Sequence, residues 1–556
     1  MRATSRLFAA FAAATALLAG VSALPKISKT GKYLYSEDGT RFFIKGIAYQ
    51  PPGKVAADPN NPFLEPADFI DPLADTAGCA RDLPFLQSLG VNAVRVYSVD
   101  FTKNHDTCMS TFSAAGIYTI IDLSTPGNGS IARNSPSWTT NLLDNYINTI
   151  NVFSKYDNVL AYNVGNEVIV SNITSATAFV KAAARDTKAY LKSKNISTLT
   201  AYAAIDGSDD FVVALAEYMS CDVGGTNSDA TAIDLYGLNN YEFCGDDDAS
   251  AYSDKNSAFA NYNIPAYFSE FGCITQPPRL WTETKTMFSS PMSDVWSGGL
   301  AFSYFQSTSS QGQFGMATIS ADGSTVTTND DFDRLKTQYQ AVTFPTTPSQ
   351  SSAGSTTYGA CPAPSDAFQA LSTLPPTPND AACSCLENIL SCQFTPTNPD
   401  PLLIVGSLLD EACGLLGQNG GSCDDISANA TTGKYGPVSG CDPSTKLSYT
   451  MSQFYEATNR NVQSCSFGGN ATVNSNVPSG VANANAAASS CISNPGATFV
   501  PSAPTVTGGP GGSSSGGGSS SGNGNNSGAL SDRSAWMGIG LATVFSVAAG
   551  VFTVLA

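Results

Sequence analysis

Eight strand-like runs, each followed by a stretch of different character, constrain this chain more than any other feature. The runs cover residues 41–49, 93–97, 117–123, 159–168, 199–205, 232–239, 264–272 and 299–305, and intervening segments such as 79–89 and 176–192 have helical character. Strands that recur with a helix between them make βαβ units, and eight such units predict an α/β fold, the (β/α)8 TIM barrel. Parallel-barrel enzymes place their chemistry at the carboxyl ends of the strands. The fourth run ends on Gly165-Asn166-Glu167, and the seventh carries Ser269-Glu270-Phe271-Gly272 at its end. Either glutamate alone reads as a solvated loop acid. Two of them at matching ends of strands four and seven are what a retaining glycosidase needs.

Composition narrows the chemistry further. His105 is the only histidine in the chain, which removes Ser-His-Asp, Cys-His and multi-histidine zinc chemistry and leaves carboxylates to catalyse with. No Gly-rich phosphate loop follows a strand, so neither metal nor cofactor is expected. The formal charge of −18, from 27 basic and 45 acidic residues, argues against nucleic acid as a partner and is compatible with a neutral sugar polymer. A retaining glycosidase works through two carboxyl groups about 5 to 5.5 Å apart, one a protonated acid and one an ionised nucleophile. We assign Glu167 as acid/base and Glu270 as nucleophile, expecting desolvation to keep the acid protonated and hydrogen bonds to keep the nucleophile ionised. Asn166 is placed to hydrogen-bond a sugar hydroxyl, and Tyr304, near the end of strand eight, to donate to the nucleophile. Tyr97 and Tyr241 are candidates to stack on or bond to sugar rings, or else ordinary rim aromatics. Asp122, ending strand three, reads equally as a sugar contact or a structural acid. Gln50, just past strand one, is a further candidate contact.

Residues 1–23 have Arg2 and Arg6, an apolar run and a small-residue end at Ala23, the pattern of a secretory signal peptide. The barrel is expected over 24–345, followed by a Pro/Ser/Thr-rich linker at 346–372 from which Cys361 is tied back to the barrel. Residues 373–495 hold eight of the fourteen cysteines, namely Cys383, Cys385, Cys392, Cys413, Cys423, Cys441, Cys465 and Cys491, and read as a small disulfide-held module. The other six are Cys79, Cys108, Cys221, Cys244, Cys273 and Cys361; spacing alone does not pair them. Residues 496–528 form a Ser/Gly-rich tether that cannot bury a core. Small residues around Asn526, a polar spacer and an uncharged apolar tail over 529–556 spell a GPI-attachment signal, with attachment between Asn525 and Gly528. A spanning helix is the competing reading, but no basic residue follows the tail to stop transfer. Asn-x-Ser/Thr sites at Asn128, Asn172, Asn195, Asn429, Asn470 and Asn525 agree with a secreted glycoprotein. The expected location is the cell surface, on the outer leaflet of the plasma membrane or in the cell wall.

Four motifs in order, Gly165-Asn166-Glu167-Val168, Asn240-Tyr241-Glu242-Phe243-Cys244-Gly245, Ser269-Glu270-Phe271-Gly272-Cys273 and Ser297-Gly298-Gly299 ahead of Tyr304, resemble the fungal β-1,3-glucanosyltransferases of glycoside hydrolase family 72 over about residues 24–345. The cysteine-rich segment resembles carbohydrate-binding module family 43. The resemblance implies Glu167 as acid/base, Glu270 as nucleophile, Asn166 as a donor-site contact, and Tyr97 and Tyr304 as glucan contacts. It also implies the pairs Cys79 with Cys108, Cys244 with Cys273, and Cys221 with Cys361. Two departures stand out. Asp209 is followed by Asp210 and no arginine, so only Asp209 keeps a glucan-contacting role, and Phe243 stands where relatives often have tryptophan.

The resulting reading is a monomeric, anchored enzyme that cleaves an internal β-1,3-glucan bond and joins the new reducing end to the non-reducing end of another glucan chain. The same carboxylates serving water would give an endo-β-1,3-glucanase. A barrel without activity would be a glucan-binding wall protein, and that reading calls for a missing glutamate.

Overall fold

The computed structural model describes residues 23–53, 68–126, 129–309, 311–397, 402–475, 477 and 483–504. Of the expected features, residues 1–22 of the signal peptide, Asn128, Asn525, Asn526, the tether from residue 505 and the propeptide at 529–556 lie outside the described residues. Among the described residues no helix is long and apolar enough to cross a membrane.

Eight parallel strands, β1 (Ile44–Ala48), β2 (Ala93–Val96), β3 (Tyr118–Asp122), β4 (Val159–Asn166), β5 (Leu199–Ile205), β6 (Leu235–Asn239), β7 (Ala266–Phe271) and β8 (Trp296–Ala301), form one closed barrel. Each is followed by a helix: α1 (Thr76–Leu89), α2 (Asp106–Ala114), α3 (Thr140–Phe153), α4 (Thr177–Ser193), α5 (Asp209–Ser220), α6 (Ser253–Ala258), α7 (Glu283–Met287) and α8 (Asp330–Ala341). Helices outside and side chains inside cover both faces of the strands, which is why they read as continuous apolar runs rather than alternating ones.

Strand eight differs from its expected span. Residues 302–305 are apolar because Tyr304 and Phe305 are buried against Tyr49, not because they extend the strand. Its start at Trp296 runs through Gly298, which has φ +95 and sits where a Cβ would lie 2.2 Å from the Ile44 carbonyl oxygen. Only glycine lets β8 approach β1 that closely.

The amino-terminal strands Ile27–Thr30, Tyr33–Ser36 and Arg41–Phe42 form an antiparallel sheet that closes the barrel floor. Phe42 meets Tyr118 edge-on at 5.4 Å, and Leu34 packs with Ile44, Ile120, Leu160, Leu235 and Leu300. Each such buried aliphatic contributes about 2 kcal/mol. With the floor and lower interior filled, the strands' carboxyl ends are where polar groups collect.

The stretch read as a linker is pinned along the barrel. Tyr35 donates to the Pro348 carbonyl, Gln350 to Thr30 and Lys29 to the Tyr358 hydroxyl, and Cys361 is bonded to Cys221. Its composition signals lack of regular structure, and these partners come from distant sequence.

Beyond it, helices Asp380–Ile389, Leu402–Gln418, Pro443–Ala457 and Ala484–Cys491 and the segments joining them are tied by the disulfides Cys383–Cys441, Cys385–Cys491, Cys392–Cys465 and Cys413–Cys423. This module sits on α3 and α4. Thr140 N–H donates to the Gly440 carbonyl, Thr377 to Asp186, and Tyr435 lies edge-on to Phe179 at 6.0 Å.

Candidate active site

Arg95 is the centre of the mouth. It occupies an otherwise apolar strand, Ala93-Val94-Arg95-Val96, and is fully buried. Its Nη2 and Nε donate to the two oxygens of Asp122 at 2.8 and 3.2 Å, and Asn163 donates to the same carboxylate at 2.8 Å. Nη2 also donates to Asn166 Oδ1 at 2.8 Å, and Nη1 to Glu270 Oε1 at 3.3 Å. Burial opposes the guanidinium charge, but Asp122, Tyr97 and Glu270 outweigh it and hold Arg95 protonated. A guanidinium carries donors only, so the amide oxygen of Asn166 must face Arg95. Its nitrogen is left toward the cleft, without a hydrogen-bond partner among the described residues.

Glu167 owes its direction to the backbone. The β4–β5 register shifts between Asn163 and Asn166, and such an irregularity at a strand end re-aims the next side chain. Glu167 then takes φ 49, a left-handed conformation that a non-glycine residue holds only when its neighbours fix it. The neighbours are the Ala203 carbonyl, 2.9 Å from Glu167 N–H, and Arg133, whose Nε donates to the Glu167 carbonyl at 2.9 Å. The half-buried carboxylate accepts from Asn239 Nδ2 at 2.7 Å, and Ser269 orients Asn239 by donating to its oxygen at 2.7 Å.

Glu270 is 7 % exposed. Tyr97 donates to Oε1 at 2.7 Å and Tyr241 to Oε2 at 2.8 Å. Burial pushes both phenols well up, with the Glu270 charge adding to it, so they stay protonated donors. Burial also pushes the Glu270 carboxyl up to about 7; Arg95 and the two phenols pull it down, and the Glu167 charge pushes it up. The hydrogen bonds expected to hold this residue ionised are present, but burial outweighs them. The Cys244–Cys273 disulfide clips the loop after β6, which carries Tyr241, to the loop after β7. Cys79–Cys108 joins α1 to α2.

Several residues sit elsewhere than expected. Tyr304 does not reach Glu270: it is fully buried and its hydroxyl donates to Asp82 at 3.1 Å. With β8 ending at Ala301, it is Phe302 that lies against Tyr97 and Tyr241, 6.3 and 6.5 Å between ring centres. Asp122 is 1 % exposed and is the counter-ion of Arg95, so of its two readings the structural one describes it. Gln50 spends its side chain on backbone, accepting from Tyr97 N–H and Ser98 N–H at 3.1 Å each and donating to the Ile70 carbonyl at 2.6 Å. It shapes the turn carrying Tyr97 rather than offering a free group to a sugar. Asp209 is bound by Lys255 at 2.7 Å. Phe243 is buried against Tyr252 and presents no face for stacking. His105 is buried on Asp71 at 2.8 Å.

Sequence reasoning missed Arg95, Asn239, Ser269, Arg133 and Phe302. For Arg95 the signal was there: a charge inside an apolar strand is too costly to bury unless it is paired. The others carry no local mark, because neutral polar residues at strand ends are common.

Residues 17–343 match the family model described as glucanosyltransferase, glycoside hydrolase family 72, and residues 390–472 match the X8 domain. The chain is 38 % identical to the 1,3-beta-glucanosyltransferase gas1 of Schizosaccharomyces pombe, covering 82 % of this chain and 81 % of that protein. It is 38 % identical to protein EPD1 of Candida maltosa, covering 84 % and 82 %. Among solved structures, Saccharomyces cerevisiae Gas2p in complex with laminaritriose and laminaritetraose superposes with a TM-score of 0.71 at 34 % identity, over 82 % of this chain and 98 % of that one.

Proposed function

Because this chain belongs to the glucanosyltransferases of glycoside hydrolase family 72, we propose that the cleft between β4 and β7 elongates β-1,3-glucan by a retaining double displacement. Glu270 attacks the anomeric carbon of an internal glucosyl unit while Glu167 gives its proton to the departing glycosidic oxygen, which leaves as a new non-reducing end. The retained chain is then held as a glucosyl ester of Glu270. The terminal sugar hydroxyl of a second glucan loses its proton to Glu167 and attacks the same carbon, which releases Glu270 and restores the β configuration.

The observation that carries this reading is the unequal dress of the two carboxylates. Glu270 receives two phenol hydroxyls and a guanidinium, while Glu167 receives one neutral amide. Donors of the first kind favour the charged form of a nucleophile. In each transition state the free Asn166 amide donates to a hydroxyl of the reacting sugar.

The test is a product profile on a reduced laminari-oligosaccharide. Wild type should yield products longer than the starting chain, and Glu167→Gln and Glu270→Gln should yield none. Only shorter products would make the protein an endo-glucanase, and full activity in either variant would overturn the roles.

The protein works as a monomer on the outer leaflet of the plasma membrane, held by the GPI signal around Asn526. Phospholipase C specific for phosphatidylinositol should release it from cells. Asn172, Asn195 and Asn429 are exposed, whereas Asn470 is half-buried and donates to the Phe467 carbonyl at 3.1 Å; glycans are expected first at the exposed three.

A further inference from the structure

Lys255 lies on α6, 15 residues before Glu270, with its side chain only 5 % exposed. A lysine is buried at this level only where several acceptors surround it. Its Nζ donates to the Gly207 carbonyl at 2.9 Å and to Asp209 at 2.7 Å, and lies 3.2 Å from Glu242 and 3.4 Å from Asp206. These acceptors come from two loops. Asp206, Gly207 and Asp209 follow β5, and Glu242 follows β6. Three carboxylates in one place would repel each other and part the loops; one ammonium among them holds the loops together. Asp206 shows the crowding: burial and the Glu242 charge push it up, to about 6, against the pull of Lys255.

The cluster reaches the reacting carboxylate through Asn240. Its Nδ2 donates to Asp206 at 2.7 Å and to Glu242 at 3.0 Å, and its oxygen accepts from Glu242 N–H at 3.1 Å. Its own N–H donates to the Glu270 backbone carbonyl at 2.9 Å. The next residue is Tyr241, whose hydroxyl is on Glu270. A tyrosine at the start of a loop holds a 2.8 Å hydrogen bond only if its backbone is fixed, and here the fixing passes from Lys255 through the carboxylates to Asn240.

We propose that Lys255 is a positioning residue for the transfer reaction: it gathers the acids of the β5 and β6 loops and, through Asn240, sets the Tyr241 hydroxyl on Glu270. This rests on the function proposed above. It also gives the cation of this loop pair a role in a chain where Asp210, and not an arginine, follows Asp209.

The experiment measures kcat and KM for laminari-oligosaccharide transfer in Lys255→Met, Lys255→Arg and Asn240→Ala, each at a temperature well below its own melting point. Lys255→Met should lower kcat about ten-fold with KM little changed, since a mis-set donor costs the transition state more than the ground state. Lys255→Arg should recover most of it. In a Tyr241→Phe background the Lys255→Met effect should shrink below about two-fold, because the group being positioned is gone. A merely structural lysine would lower the melting temperature and leave kcat of the folded enzyme alone. That outcome, or the full loss repeated in the Tyr241→Phe background, overturns the proposal. If Lys255→Met does not fold, Asn240→Ala cuts the same link without stranding a charge and should show the same loss of kcat and the same dependence on Tyr241; wild-type kcat in Asn240→Ala overturns it equally. Wild type that makes no longer products would instead fail the proposed function.

Discussion

Replacing Arg95 by methionine should separate what this residue does for the fold from what it does for the reaction. The side chain is fully buried and makes two bonds to Asp122, itself 1 % exposed. Removing one member of such a pair leaves the other as an unpaired buried charge, at about 3–5 kcal/mol. For a domain of this size that is a fall in Tm of roughly 4–7 °C. Asn163 still donates to Asp122, which places the expected cost nearer the lower end. Adding Asp122→Asn removes the stranded charge, so the double variant should regain more than half of the lost stability. Activity should not return with it. Without Arg95 only the longer bond from Asn239 Nδ2, at 3.2 Å, is left to fix which end of the Asn166 amide faces the cleft, and Glu270 loses its only cationic donor among the described residues. A misdirected substrate contact costs about a hundred-fold in kcat/KM. Calorimetry and the oligosaccharide transfer assay on wild type, Arg95→Met and the double variant test both halves. A single variant within about 1 kcal/mol of wild type, against the cost of stranding a buried charge, would refute the energetic argument. A double variant with restored transfer would refute the orienting one.

The pH dependence of stability follows from carboxyls that burial has raised. Glu270 and Glu283 go from 4.5 to about 7, so the folded state keeps protons that the unfolded chain has released. Their contribution is complete below the unfolded value and is lost as pH rises through about 7. Glu270→Gln should therefore melt with wild type at pH 4 and above it at pH 8, by up to about 3 kcal/mol at about 1.4 kcal/mol per pH unit; a lower Tm at pH 8 would contradict this. Tyr241→Phe removes a donor to ionised Glu270 worth about 1.5 kcal/mol, and the acid limb of kcat/KM should move up by about one pH unit. An unmoved limb would detach Tyr241 from the titration of Glu270. Replacing Cys221 and Cys361 together by serine frees the strap along the barrel and should cost about 2–5 kcal/mol, read as a lower Tm with kcat of the folded enzyme unchanged.

The barrel was legible in the sequence because its strands are buried on both faces, which leaves apolar runs separated by segments of different periodicity. The glutamates were legible because a barrel displays strand ends, so a carboxylate after a strand has a known place. What lies around them was less so. Tyr97 and Tyr241 were candidates as sugar contacts and turn out to bind Glu270. Tyr304 was assigned that donation and gives its hydroxyl to Asp82, since an aromatic run past a strand end can belong to the packing beneath the mouth as well as to its rim.

The sequence by itself determined the strand count, the two glutamates and the asparagine beside one of them, because these depend on residue type at a periodic position along one chain. Only the tertiary structure decided which donors face which carboxylate. Arg95 reaches residues of β3, β4 and β7, Asn239 of β6 reaches β4's end, and Lys255 joins the β5 and β6 loops. Those partners lie tens to hundreds of residues apart, so their distances, and the burial that raises Glu270, arise only when the sheet closes on itself.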